Sequence, residues 1–276
     1  MTTLQRIIKY CAMGFAIFLV ISIVGGICGA LGIVSYVFQG DSTGEMQAYS
    51  VSKEVKSLDV EISAADFQIV SGDGFAVESD HKNLNVKEEG GTLYISEEKK
   101  MFGWFFEGAK LVLTIPQEFQ FDEAIISTGA GKVDIEALSS DKLSLELGAG
   151  AVEIGSLKAK NQASVESGAG KLTIEDGELH NLSMEVGVGK LELKGKLTGD
   201  CTMDYGIGEA EVTLVGEEKD YQIQLDKGLR EATLEGKSMS DESLYGDGDN
   251  KIKIDGGVGA VHIDFDGDSS IQEQME

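Results

Sequence analysis

Seven carboxylates and one serine occupy the same place in eight copies of a short sequence frame, which makes them the side chains of this protein best arranged to do chemistry. They are Glu61, Ser127, Glu146, Glu166, Glu185, Asp204, Asp226 and Asp255, each three residues before the middle of a Gly-x-Gly or a degenerate copy of one. On stacked, in-register strands they would stand about 5 Å apart, where like charges repel by around 1 kcal/mol per pair even at water's dielectric. A cation or a basic ligand would relieve that repulsion, and Glu146, Glu166, Glu185, Asp204 and Asp226 form the candidate ladder. The plainer use of such a column is a solvated face that keeps the protein soluble and blocks lateral strand pairing.

The second outlier is the aromatic run Met101-Phe102-Gly103-Trp104-Phe105-Phe106, which holds the only tryptophan. Phe102, Trp104, Phe105 and Phe106 could grip a partner or sit at a membrane interface, because their rings combine apolar area with polar edges. Folding over an open end of the core as a hydrophobic cap is the alternative.

Metal and catalytic patterns fail on inspection. Calcium-binding nonapeptide repeats place Asp two residues after glycine, whereas Asp134 stands three after Gly131. Asp264, Asp266 and Asp268 mimic the first ligands of a helix-loop-helix calcium loop, but Ser269 replaces the needed glycine and Met275 the bidentate glutamate. His81, His180 and His262 are scattered, and no serine or cysteine lies in a nucleophile motif. The sequence therefore predicts no enzyme, no cofactor and no metal site.

The elements that carry these residues follow from the frame itself. Two apolar residues precede each centre at a spacing of two, as Leu143 and Leu145 precede Ala149, and two follow it, as Val152 and Ile154 do. A step of two is the period of a strand burying one face. The step of three after the centre flips that parity, so the chain must bend there, and glycine supplies the bend. The corners are Gly129 and Gly131, Gly148 and Gly150, Gly168 and Gly170, Gly187 and Gly189, Gly206 and Gly208, and Gly257 and Gly259. A period near twenty residues with two short strands per copy predicts a parallel β-solenoid of about eight turns. A meander of antiparallel hairpins, with each Gly-x-Gly a turn, is the rival.

Residues 10 to 40 contain no charged side chain, enough to cross a bilayer as a helix. Arg6 and Lys9 precede the stretch and Asp41 and Glu45 follow it, so the positive-inside rule puts the N-terminus in the cytoplasm and the rest outside. A cleaved signal peptide would have a shorter apolar region, and lipidation at Cys28 is disfavoured by Ile27. Gly25 and Gly29 could pack two such helices into a dimer. The expected organisation is a cytoplasmic segment at 1–9, a transmembrane helix at 10–39, a linker at 40–50, an elaborated first portion and cap at 51–128, regular repeats at 129–266 and an acidic tail at 267–276. All 48 acidic residues follow residue 40 and the net charge is −25, a balance that argues against nucleic acid and anionic lipid heads as partners.

The strings Gly129-Ala-Gly-Lys-Val-Asp-Ile135 and Gly168-Ala-Gly-Lys-Leu-Thr-Ile174, behind one apolar segment, resemble the bacterial putative-adhesin family over roughly residues 50 to 265. That resemblance implies β-strand repeats and a place in the cell envelope, and supplies no catalytic residues. The expected function is a membrane-anchored extracytoplasmic binding or scaffolding module whose partner is an envelope component or membrane protein. An envelope-stress accessory acting through its membrane helix and a carbohydrate-active enzyme are the alternatives.

Overall fold

The computed structural model describes residues 46–52, 54–81, 83–97, 109–227, 231–240 and 243–267. The apolar segment at 10–40, the aromatic run at 101–106 and the acidic tail from 268 lie outside them. Residues Ser42–Glu276 form one compact unit. Among the described residues it is all β, apart from one 3-10 turn at Glu218–Asp220.

Every residue of the four apolar columns is buried, from Leu58, Val60, Phe67 and Ile69 at one end to Ile252, Ile254, Val261 and Ile263 near the other. They share one core because successive turns lie side by side, run the same way and stay in register. β2 (Ser57–Gly72) pairs with β7 (Gln120–His180) so that Ala64 meets Ala130. β7 runs on through three turns. β8 (Leu182–Thr198) then sets Val188 against Ala169, and β9 (Asp200–Val215) sets Ile207 against Val188. These pairings are parallel, so the Gly-x-Gly segments are corners of stacked turns and the hairpin meander is not what the chain adopts.

Each turn has a further side that the four columns did not show. Leu138, Leu157, Leu179 and Leu197 are buried beyond a second bend, where the register slips between Ile174 and Gly177. The slip explains why this side lacks a clean sequence period.

The stack does not follow chain order at its ends. β14 (Asn250–Asp266) pairs with β9, Val258 against Ile207, while the earlier strands β10 (Tyr221–Lys227) and β11 (Glu231–Leu234) lie on its outer side. At the opposite end β2 is covered by later strands, β5 (Thr92–Glu97) and β6 (Ala109–Pro116), which align Leu93, Ile95, Leu111 and Leu113 with Leu58, Val60, Phe67 and Ile69. These two strands add a further layer to the eight copies of the frame. Short antiparallel strands then close the exposed edges. β4 (Leu84–Glu89) folds onto β5 through the positive-φ pair Gly90-Gly91, β3 (Ala76–Ser79) lies on β6, and β1 (Gln47–Tyr49) on β3. β12 (Lys237–Ser238) and β13 (Leu244–Tyr245) do the same for β11 and β10. Phe75, Phe119 and Phe121 pack edge-on, with ring centroids 4.8 and 4.9 Å apart along the trio, near the β3–β6 end.

The two glycines of a corner are needed for different reasons. Gly150 has φ +147°, a region open in practice to glycine alone, and a Cβ there would also overlap the Gly131 carbonyl oxygen of the adjoining turn. Gly148 lacks the unusual φ, but its Cβ would overlap the Gly129 carbonyl oxygen. Gly150→Ala should therefore destabilise the domain by at least ~1–3 kcal/mol and lower Tm by several degrees, at roughly 2–4 °C per kcal/mol for a domain of this size. Gly74→Ala, whose Cβ would meet nothing within 4 Å, should leave the thermal melt unchanged. Equal melts for the two variants would contradict the corner as described.

Candidate functional site

The column of carboxylates lies on the outer face of the strand that enters each corner. A buried residue immediately precedes each member in sequence, as Leu145 precedes Glu146, so strand alternation turns the acid outward. Register places Glu166 beside Glu185, Glu185 beside Asp204, Asp204 beside Asp255, and Asp255 beside Asp226. Glu146 accepts a hydrogen bond from the Ser127 hydroxyl at 3.3 Å, and Ser127 in turn stands beside Glu61. The ladder expected from the sequence thus needs a correction in its order. Asp226 is not the neighbour of Asp204: Asp255 stands between them, because β14 inserts between β9 and β10.

Charge is handled differently on the two sides of the corner. After it, lysines interleave with the acids. Lys132 pairs with Asp134 and Glu153 at 3.5 Å, Lys171 with Glu192 at 2.8 Å, and Lys190 with Glu192 and Glu211 at 3.0 Å. Hydrogen bonds from Lys171 and Lys190 hold the Glu192 carboxyl down to about 2 and those to Glu192 and Glu211 raise the Lys190 ammonium. Within the carboxylate column before the corner, from Glu146 to Asp226, the only ion pair among the described residues is Lys253 with Asp255, at 2.8 Å. Partial burial, then the neighbouring Asp255 and Glu185 carboxylates, push Asp204 above the usual aspartate range.

Glu185, Asp204, Asp255 and Asp226 line one wall of a trough of about 430 Å³. Its floor is the first glycine of each corner, including Gly187, Gly206 and Gly257, where stacking forbids a side chain. Beyond that floor the corner centres project outward in register as an apolar ridge, Val188, Ile207 and then Val258, which is 55% exposed. Beneath the trough, Tyr205 turns its hydroxyl inward to the Glu209 carbonyl at 2.8 Å and the Gly189 carbonyl, and burial pushes its pKa to about 12. It serves as a filler of the interior.

A larger groove of about 830 Å³ runs past Asp176, Glu178, Lys196, Glu217, Asp220 and Asp249. Its charges are mixed and partly paired, Glu178 with Lys158 and Glu217 with Lys219. No group of three or more ligating side chains able to hold a metal occurs among the described residues. Of the calcium-like aspartates, Asp266 pairs with Lys194. The three histidines sit on separate strands or loops: His81 faces Glu97 at 3.8 Å, His180 Thr198 at 3.0 Å, and His262 Thr233 at 2.9 Å. Phe102, Trp104, Phe105 and Phe106 lie outside the described residues, in the connection from β5 to β6.

The frame carried the carboxylates and the glycines; the trough and ridge went unread. An available signal was the enlargement of the centres from alanine at 130, 149 and 169 to Val188, Ile207 and Val258.

Residues 50–262 match the family model described as Toastrack DUF4097. No curated protein matches the chain. Among solved structures, a putative cell adhesion protein from Clostridium sporogenes is 13% identical, with 81% of this chain and 100% of that one covered and a TM-score of 0.36. A putative adhesin from Bacteroides fragilis is 15% identical over 79% and 96% of the two chains, TM-score 0.42. A putative lipid binding protein from Parabacteroides distasonis is 15% identical over 82% and 98%, TM-score 0.30.

The two charge arrangements titrate in opposite senses. Asp204 binds its proton more tightly folded than unfolded, so stability rises as pH falls from neutral toward the ordinary aspartate range. Glu192 is the reverse: its contribution is present above the unfolded value of 4.5 and is lost as pH falls toward about 2. Tm measured against pH should pass through a maximum on the acid side of neutrality. Asp204→Asn should raise Tm at pH 7 by roughly 2 °C, the scale of one relieved like-charge contact, and flatten the neutral limb. Glu192→Gln should flatten only the acid limb, and a lower neutral Tm for Asp204→Asn would contradict the ladder as a source of repulsion.

Proposed function

We propose that this chain, which belongs to the Toastrack DUF4097 family, is a membrane-anchored binding or scaffolding module that presents its stacked corners to a component of the cell envelope. The observation that carries this reading is the corner surface itself: carboxylate, bare glycine and apolar side chain recur in register over adjoining turns. A surface built by repetition offers the same chemistry over a long span, which suits an elongated ligand better than a small-molecule site.

Anchoring is supported by the uncharged stretch at 10–40 and its flanking charges. The described part begins at β1, the outermost strand of one end of the sheet. Binding without turnover is supported by the scattered histidines, each occupied with a different structural neighbour. The strongly acidic balance supports a partner other than nucleic acid.

The test separates anchor from module. The full chain should sediment with membranes, whereas residues 42–276 should be soluble, melt at the same temperature and capture the same protein from solubilised envelopes. Loss of capture on removing the first 41 residues would overturn the reading in favour of a regulator that works through its N-terminal segment.

A further inference from the structure

We infer that the trough between the carboxylate column and the Val188–Ile207–Val258 ridge is a docking site for a basic amphipathic helix of a partner protein. The inference rests on the binding role proposed above and specifies the surface and the chemistry of the partner.

Three features of the trough select that occupant. First, its acid wall is only partly compensated: Glu185, Asp204, Asp255 and Asp226 stand on four adjoining turns and share one lysine among the described residues, Lys253, which pairs with Asp255 and also attracts Asp226 and Asp204. On the far side of the corners, acids of successive turns are instead paired with lysines, Lys132 with Asp134 and Glu153, Lys171 with Glu192, and Lys190 with Glu192 and Glu211. The chain thus has a local means of removing such repulsion, and in the trough one lysine serves four carboxylates. Cationic side chains from outside would complete the pattern.

Second, the ridge beyond the glycine floor is apolar and partly exposed. Val188 and Ile207 are half-buried and Val258 is largely exposed, and all three are larger than the alanines that fill the same column in earlier turns. A free polyamine or metal ion would satisfy the acids and leave this ridge in water. A ligand using both the acid wall and the ridge must carry basic and apolar faces side by side.

Third, the spacing favours a helix. The rungs repeat every ~4.8 Å along the stack, and a helix advances 5.4 Å per turn with a diameter near 10–12 Å. Lysines or arginines at i, i+4 and i+7 would reach successive rungs, with long side chains absorbing the small mismatch. An extended strand presents same-face side chains every ~6.7 Å and falls out of step after two rungs.

The test uses the purified full-length chain in detergent. The probe is a labelled peptide of about fourteen residues, with lysines at i, i+4 and i+7 and leucines on the adjoining face. A scrambled peptide of the same composition is the control. By fluorescence anisotropy at ~0.15 M salt, the amphipathic peptide should bind about tenfold more tightly than the scrambled one. Asp204→Asn with Asp255→Asn should weaken it about tenfold while leaving Tm equal or higher, and Val258→Ser about threefold. Glu153→Gln, on the lysine-neutralised side, should leave the affinity unchanged.

Equal binding of the two peptides, or undiminished binding in either trough variant, overturns the proposal. So does an equal loss in Glu153→Gln, which would mean general attraction to an acidic protein. Absence of peptide binding also overturns it, and if residues 42–276 still capture the full chain's envelope partner, the binding role stands and only this surface fails.

Discussion

Backbone meets backbone at the Gly-x-Gly corner, and that contact governs the rest of the molecule. Adjoining turns approach so closely there that a Cβ on Gly148 or Gly150 would overlap the carbonyl of the turn below. Removing side chains is the only way to keep the parallel ladder continuous through a bend, and a continuous ladder keeps the buried columns aligned. The same bareness makes the outer trough. Core, corner and surface relief are thus three results of one steric condition.

Stacking in register also dictates the electrostatics. When equivalent residues lie on neighbouring strands, a favourable apolar choice is repeated as a core, and an acidic choice is repeated as a row of like charges. Interleaved lysines resolve this on one side of the corner, strongly enough to depress the Glu192 carboxyl. On the other side the row persists, and partial burial together with the neighbouring carboxylates raises Asp204. The contrast lies between faces a few residues apart in the same strands, so overall composition does not account for it.

A stack has two ends, and each is an unpaired edge unless something covers it. Here the chain places its first and last frame-bearing strands, β2 and β14, one layer in, and covers them with segments that can turn back on themselves. The antiparallel strands β1, β4, β12 and β13 then occupy the edges. Antiparallel pairing needs only a tight turn to reverse the chain, whereas a further parallel layer would only have moved the edge outward.

The buried columns, the bends and the outward face of the acids were legible in the sequence alone, because period and glycine placement are local consequences of strand alternation and corner sterics. The side of each turn that holds Leu138 and Leu179 was not, since its register slips and breaks the period. The β5–β6 layer was hidden too, because the residues connecting its strands replace the compact corner. Most consequential is the layer order: a frame that recurs in sequence says which residues are equivalent but not which copies touch. That Asp255 separates Asp204 from Asp226, and that Val258 extends the Ile207 ridge, was decided only when the last strand packed inside β10, where strand pairing along both of its edges offset the longer loop that brings it there.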